Sequence, residues 1–171
     1  MSKRALTKYL QSLDKAELEN QVLELYAKFK PVRDYYGFVF NPKEEKLMEE
    51  ARFKIAKEYF PTNRRRPKAR RSVAQKLIKN YLTLGLDPTK LSDLMLFNIE
   101  TAIRFNEKKP QKQEAFYKSI FSSFEQAVEY IAANGLKAVH KERLTQILDE
   151  VEIQQWWNAE AFGRQLDPLF G

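Results

Sequence analysis

Six cationic side chains fall within eight consecutive positions of this chain: Arg64, Arg65, Arg66, Lys68, Arg70 and Arg71, with no acid among them. Lys76 and Lys79 follow shortly after. Guanidinium forks and ammonium groups at this density suit the holding of oxyanions through charge-assisted hydrogen bonds. A phosphate-rich polymer such as nucleic acid is one partner of that chemistry, and an acidic protein surface is another. The density also has a cost. Like charges repel, and cations at a helix start oppose its dipole by about a few tenths of a kcal/mol each. Three readings therefore compete. The run is a polyanion-binding surface, or a solvated stretch neutralised by the chain's own Glu44, Glu45, Glu49 and Glu50, or a short peptide read by a localisation or partner protein. No zinc-finger spacing, RNP-type strand or G-x-x-G loop accompanies it, so the charge argues for contact with phosphates and not for base readout.

Little else in the sequence points to chemistry. Cysteine is absent, which excludes disulfides, thiolate nucleophiles and Cys-based metal sites. His140 is the sole histidine and reads as a surface or capping residue. H-E-x-x-H, Glu-x-x-His pairs, G-x-x-x-x-G-K-[ST], G-x-G-x-x-G and G-x-S-x-G do not occur, so no metal, mononucleotide, dinucleotide or acyl-transfer motif is present. Carboxylates pair at Glu45 and Glu49, and cluster at Asp149, Glu150 and Glu152. Both sets lie on predicted polar helix faces, where nothing raises a pKa for acid–base work. Glu100, near Asn98, borders an apolar stripe and reads as a helix-packing residue. The sequence leans against an enzyme and implies no cofactor.

Charge is unevenly spread. Of the net +7, residues 1–60 supply +2, residues 61–90 supply +8, and residues 91–171 carry −3. The chain is near neutral apart from one basic belt. At 171 residues, 43% hydrophobic and 13% aromatic, it has the composition of a folded globular protein, long enough to bury a core. Five glycines and an abundance of Ala, Leu, Glu, Lys and Gln favour helix. No apolar run approaches membrane-spanning length, and "MSKRALTKYLQSL" lacks the apolar stretch of a signal peptide, so the cytoplasm is the expected compartment.

Proline and glycine punctuate the elements that must position these residues. Asp14 with Glu17 forms a capping box for a helix whose Leu18, Val22, Leu25, Tyr26 and Phe29 share a face. Lys30-Pro31 ends it, and a short piece leads to "YYGFVFNP". Asn41 with Pro42 is expected to open the next helix, with Leu47, Ala51, Ile55 and Tyr59 inward. The basic run then feeds a helix from about Pro67 to Leu84, closed by Gly85, with Val73, Leu77, Tyr81 and Leu84 opposite its cations. Asp87-Pro88 starts a helix carrying Met95, Ile99 and Ile103. A long helix with Phe116, Ile120, Phe124, Val128 and Ile131 inward runs to Gly135. Another begins near Ala138 and buries Leu144, Ile147, Leu148 and Val151. A short tail helix near Trp157 is expected to fray at Asp167-Pro168. Gly37, Gly85 and Gly135 stand about 50 residues apart, a weak sign of helical-hairpin repeats.

Aromatic residues cluster three times. Tyr35, Tyr36, Phe38 and Phe40 are expected to plug the end of a helical pair. Phe116, Tyr117, Phe121 and Phe124 have core spacing. Of Trp156 and Trp157, one is expected to be buried and the other partly exposed as a partner-docking anchor.

The stretch "MSKRALTKYLQSLDKAELENQVLELYAKFKPVRDYYGFVFNPKEEKLMEEARFKIAKEYFP", with "ARRSVAQKLIKNYLTLGLDP", "LMLFNIETAIRF" and "QEAFYKSIFSSFEQAV", resembles a family of small bacterial proteins known only as a domain of unknown function. The resemblance covers nearly the whole chain and supports one domain, residues 1–171; from the tail's own sequence, fraying is expected from about residue 164. It implies no activity, cofactor or site residue. The expected fold is all-α: about seven or eight helices packed as successive antiparallel hairpins, irregular or HEAT-like. The expected function is a non-enzymatic binding module that contacts polyanions through residues 64–79. The alternative is a helical protein-interaction scaffold whose basic run is only a solvated or internally paired surface.

Overall fold

The computed structural model describes every residue except Met1, Arg64 and Gly171. Among the described residues all regular structure is helical, in nine helices. No helix is long and apolar enough to cross a membrane. The chain divides into two compact units, residues 1–43 and 44–171.

The first unit holds α1 (Lys3–Gln11), α2 (Lys15–Lys28) and α3 (Lys30–Phe40). The Ser2 hydroxyl caps α1 by accepting from the Ala5 amide. The expected capping box opens α2: Asp14 accepts from the Glu17 amide at 2.8 Å, and Glu17 accepts from the Asp14 amide at 2.9 Å. The residues from Lys30 to Phe40 form a helix, α3, where a short connecting piece is expected. Pro31 in its first turn supplies a pre-set φ. Tyr36 stacks on Phe40 one turn on at 6.1 Å, which outweighs Gly37 and the strand preference of aromatics. α2 and α3 pack together, with Tyr26 against Tyr36 at 6.5 Å. Yet no described residue of this unit is buried. The aromatic group plugs the helical pair only in part: Tyr36 and Phe38 are half-buried, while Phe40 is 81% exposed and Tyr35 45%.

The second unit holds α4 (Glu44–Tyr59), α5 (Arg71–Leu84), α6 (Pro88–Lys108), α7 (Glu114–Ala133), α8 (Lys137–Ile153) and α9 (Ala159–Phe170). Asn41 does not cap α4; it closes α3, and α4 begins two residues after Pro42, with Glu44 and Glu45 in its first turn. Those carboxylates suit the positive end of the helix dipole. Asp87 caps α6 as expected, accepting from the amides of Thr89 and Lys90. Gly85 and Gly135 take left-handed φ values of 74° and 70° just past their helices, where a Cβ would be strained.

α6 is the axis of this unit. It packs against α4, α5, α7 and α8, and twelve of its 21 residues are buried. One central helix surrounded by others is an irregular bundle, whereas a stacked repeat would join only sequence neighbours. Ala51, Ile55 and Tyr59 of α4, Ile120, Phe124, Val128 and Ile131 of α7, and Leu144, Ile147 and Val151 of α8 are buried as their spacing predicted, whereas Leu47, Phe116 and Leu148, expected with them, are half-buried. α5 is rotated from expectation. It buries Ala74 and Ile78 with Tyr81, leaving Val73, Leu77 and Leu84 half-buried. The tail does not fray at Asp167-Pro168. α9 continues through Pro168, anchored by buried Phe162 and Leu166.

Candidate polyanion interface

The basic run joins α4 to α5 as a pinned loop. The amides of Lys68 and Ala69 both donate to the Glu58 carbonyl, at 3.0 and 2.9 Å. Ala69 takes φ 47°, a left-handed conformation that costs a non-glycine residue about 1–2 kcal/mol. That reversal explains why α5 starts at Arg71 and not at Pro67, so Lys68 lies in the loop. Arg70 then occupies the cap position of α5, where a guanidinium has no acceptor to offer. The helix has neither a side-chain cap nor an acid in its first turn, so its amide dipole stands uncompensated among cations.

The six positions of the run have different surroundings. Arg64 lies outside the described residues. Arg70 lays its fork along Glu58, with Nε to Oε2 and Nη2 to Oε1 both at 2.8 Å. This hydrogen-bonded pairing holds the Glu58 carboxyl below its ordinary value, against the opposing effect of burial, and the Lys68 charge adds to the lowering. Arg71 is half-buried and donates to two neutral hydroxyls of α7, Ser123 Oγ at 2.8 Å and Ser122 Oγ at 3.2 Å. Arg65, Arg66 and Lys68 are exposed. Among the described residues, Glu58 is the only acid within ion-pair distance of any cation in the run. The neutralisation expected from the start of α4 is not found. Glu44 and Glu45 hold Lys90 instead, at 2.8 and 2.6 Å, and Glu50 faces Lys54 at 4.0 Å.

Lys57, Arg65, Arg66, Lys68 and Arg70 converge with Glu58 on a cavity of about 130 Å³. That is well above the about 10–15 Å³ that a single water needs, and leaves room for a phosphate group. Five cations thus surround a single carboxylate that one of them already engages. Lys76 and Lys79 are exposed on α5, but Lys79 borders a different cavity beside Leu82, Met95 and Tyr130. The structure does not gather these two with the loop.

Sequence reasoning missed the neighbours of the run. Phe53, Lys57 and Phe60 recur at i, i+4 and i+7 on one exposed stripe of α4. Lys57 Nζ stands 5.6 Å from the Phe53 ring centre, and Lys108 Nζ stands 5.4 Å from that of Phe60. The spacing was present in the sequence. It went unread because Ile55 and Tyr59 between these positions mark the buried side.

The two tryptophans separate. Trp156 is 4% exposed, packed on Phe116, Tyr117 and Phe162, with its Nε1 donating to Gln154. It has no surface with which to dock a partner, which leaves that expectation to Trp157, 58% exposed beneath Lys118.

A second polar cluster lies where α4, α6 and α8 meet. Asp93 is held between Arg52 and Arg143, and Arg143 also embraces Glu100 at 2.8 and 3.0 Å. Glu100 is therefore a paired packing residue. His140 is buried, contrary to the surface placement expected of it, and its Nε2 lies 2.8 Å from Ser92 Oγ. Ser92 Oγ also lies 2.9 Å from the Thr89 carbonyl, and the arrangement that satisfies both contacts has the hydroxyl donating to that carbonyl and accepting from His140 Nε2. Burial, and then the Arg143 charge, push the imidazole below its ordinary pKa. A cavity of about 450 Å³ opens here. Ser92 is fully buried, however, and its hydroxyl is committed, so the Ser–His pair is not a nucleophile with its base.

An all-helical bundle with a cation-walled loop between two of its helices is the class of protein these features define. The chain belongs to a family of unknown function, DUF6155, whose family model matches residues 1–169. No curated protein and no solved structure matches it.

Proposed function

We propose that this protein is a non-enzymatic module that binds a phosphate-bearing polyanion, nucleic acid above all, through the loop between α4 and α5. One observation carries the reading: five cations converge on a phosphate-sized cavity whose sole carboxylate is already engaged by Arg70. An arriving phosphate relieves the repulsion among Arg65, Arg66, Lys68 and Lys57. The uncapped start of α5 adds favourable dipole. A cytoplasmic location, where nucleic acid is plentiful, fits this role.

The test is fluorescence anisotropy with a labelled oligonucleotide. Replacing Arg65, Arg66 and Lys68 together by Gln is expected to weaken binding roughly 10- to 100-fold. Replacing Lys15, Lys28 and Lys30 by Gln removes the same net charge from i,i+4 pairs elsewhere, and is expected to leave binding nearly unchanged. Equal losses in both variants would mean that only net charge matters, and would refute a local site.

The apolar surface of residues 1–43 favours a second reading, the helical interaction scaffold. Val22, Leu23, Tyr26, Tyr36 and Phe40 surround a cavity of about 650 Å³, and Leu23 is 63% exposed. On that reading the unit associates with a protein surface through this groove. Sedimentation of the full chain would then show concentration-dependent association that Leu23→Glu with Phe40→Glu abolishes. A monomer at all concentrations would remove self-association as the use of the groove.

A further inference from the structure

The stripe of α4 that runs into the basic loop alternates ring, cation and ring. We infer that the ligand of this surface is single-stranded nucleic acid, its bases stacking on Phe53 and Phe60 while its phosphates engage Lys57 and the loop cations. The inference rests on the polyanion reading and deepens it.

Phe53 is 56% exposed and Phe60 36%, on a unit that buries most of its large apolar side chains. Each ring has a lysine ammonium over it, at 5.6 Å for Phe53 and 5.4 Å for Phe60. Both lysines are exposed and flexible, so an arriving strand draws each ammonium off its ring onto a phosphate and leaves the π-face to a base. The Phe60 amide still donates to the Ala56 carbonyl at 2.7 Å, so Phe60 continues the helical spiral of α4. Seven residues at helical rise place the two rings about 10 Å apart along α4, with Lys57 between them. Bases of a duplex strand follow one another at about 3.4 Å and hide their faces. Rings at this wider interval suit splayed bases, which only an unpaired strand offers. Lys57 also lines the loop cavity, so the stripe and the cation cluster are one continuous surface. A base-free polyanion would use the cations and leave the rings idle.

The experiment compares three probes on the full chain: labelled oligothymidylate, a labelled duplex of equal phosphate number, and inorganic polyphosphate. The variants are Phe53→Leu with Phe60→Leu, which keep apolar volume and lose the π-face, and Phe53→Trp, which enlarges it. Phe60 packs edge-on against buried Phe105, so leucine and not alanine preserves that contact. The double leucine variant is expected to bind oligothymidylate about 5- to 100-fold more weakly, with the salt dependence unchanged. Polyphosphate binding should not move, and Phe53→Trp should tighten oligothymidylate. If the leucine variant binds oligothymidylate like the wild type, or if the duplex binds as tightly as the single strand, the inference falls while the polyanion reading stands. If the wild type binds none of the three probes, both fall.

Discussion

Arg70 and Arg71 are neighbours in sequence and have unlike partners. Arg70 spends its charge on Glu58, and Arg71 rests on two serine hydroxyls that neutralise nothing. Glu58 therefore serves the loop twice, with its carbonyl pinning Lys68 and Ala69 and its carboxylate fixing Arg70. Because the folded carboxyl titrates below its ordinary value of 4.5, the pair's contribution is fully present above that pH. As pH falls past about 4.5 the unfolded chain takes the proton first, and the contribution fades until the folded carboxyl is protonated too. Glu58→Gln should thus lower the melting temperature slightly near neutral pH. The difference from wild type should shrink as pH falls below about 4.5 and vanish once the folded carboxyl is protonated too, as followed by circular dichroism. A constant difference across the range would mean that the ion pair contributes no stability. None of this was readable in the sequence, which offered the acids at the start of α4 as partners. Helix geometry puts those about two and a half to four turns back along α4, and among the described residues only Glu58, near its end, lies within ion-pair distance of the run.

At the scale of elements, most helices were legible because caps and apolar periodicity agreed. Asp14 with Glu17, Asp87 with Pro88, and the glycines after α5 and α7 mark their ends in sequence and in structure. The exceptions have local causes. α3 lacks the signs its neighbours carry: no side chain caps its start, and Gly37 and the aromatic residues lower its helix propensity, while i,i+4 ring stacking favours the helix. The start of α5 was placed too early because left-handed Ala69 has no sequence mark comparable to glycine. α6 shows how far position in the bundle decides energetics. Leu94→Ala, at a site fully enclosed, is expected to cost about 2–5 kcal/mol in urea denaturation. Phe40→Ala on α3, at a site mostly in water, should stay within about 0.5 kcal/mol. A large loss for Phe40→Ala would show that the first unit buries its apolar face in solution.

For the molecule as a whole, the net charge comes from one place. Residues 61–90 carry +8 in a chain of +7, and the fold draws part of that segment into one loop cavity. The sequence announced the cation density but not which cations gather. Lys57 joins from α4, while Lys79 leaves for another cavity. It also hid the rings, since the core positions Ile55 and Tyr59 lie between Phe53 and Phe60 and mark the buried side of α4. Binding through this surface must release counterions, so log affinity should fall linearly with log salt. The measurement that tests the account most directly is that slope for oligothymidylate, taken for the wild type and for the variant with Arg65, Arg66 and Lys68 replaced by Gln. Loss of about three phosphate contacts should flatten the slope by about 2. An unchanged slope, or a wild type whose binding ignores salt, would contradict it.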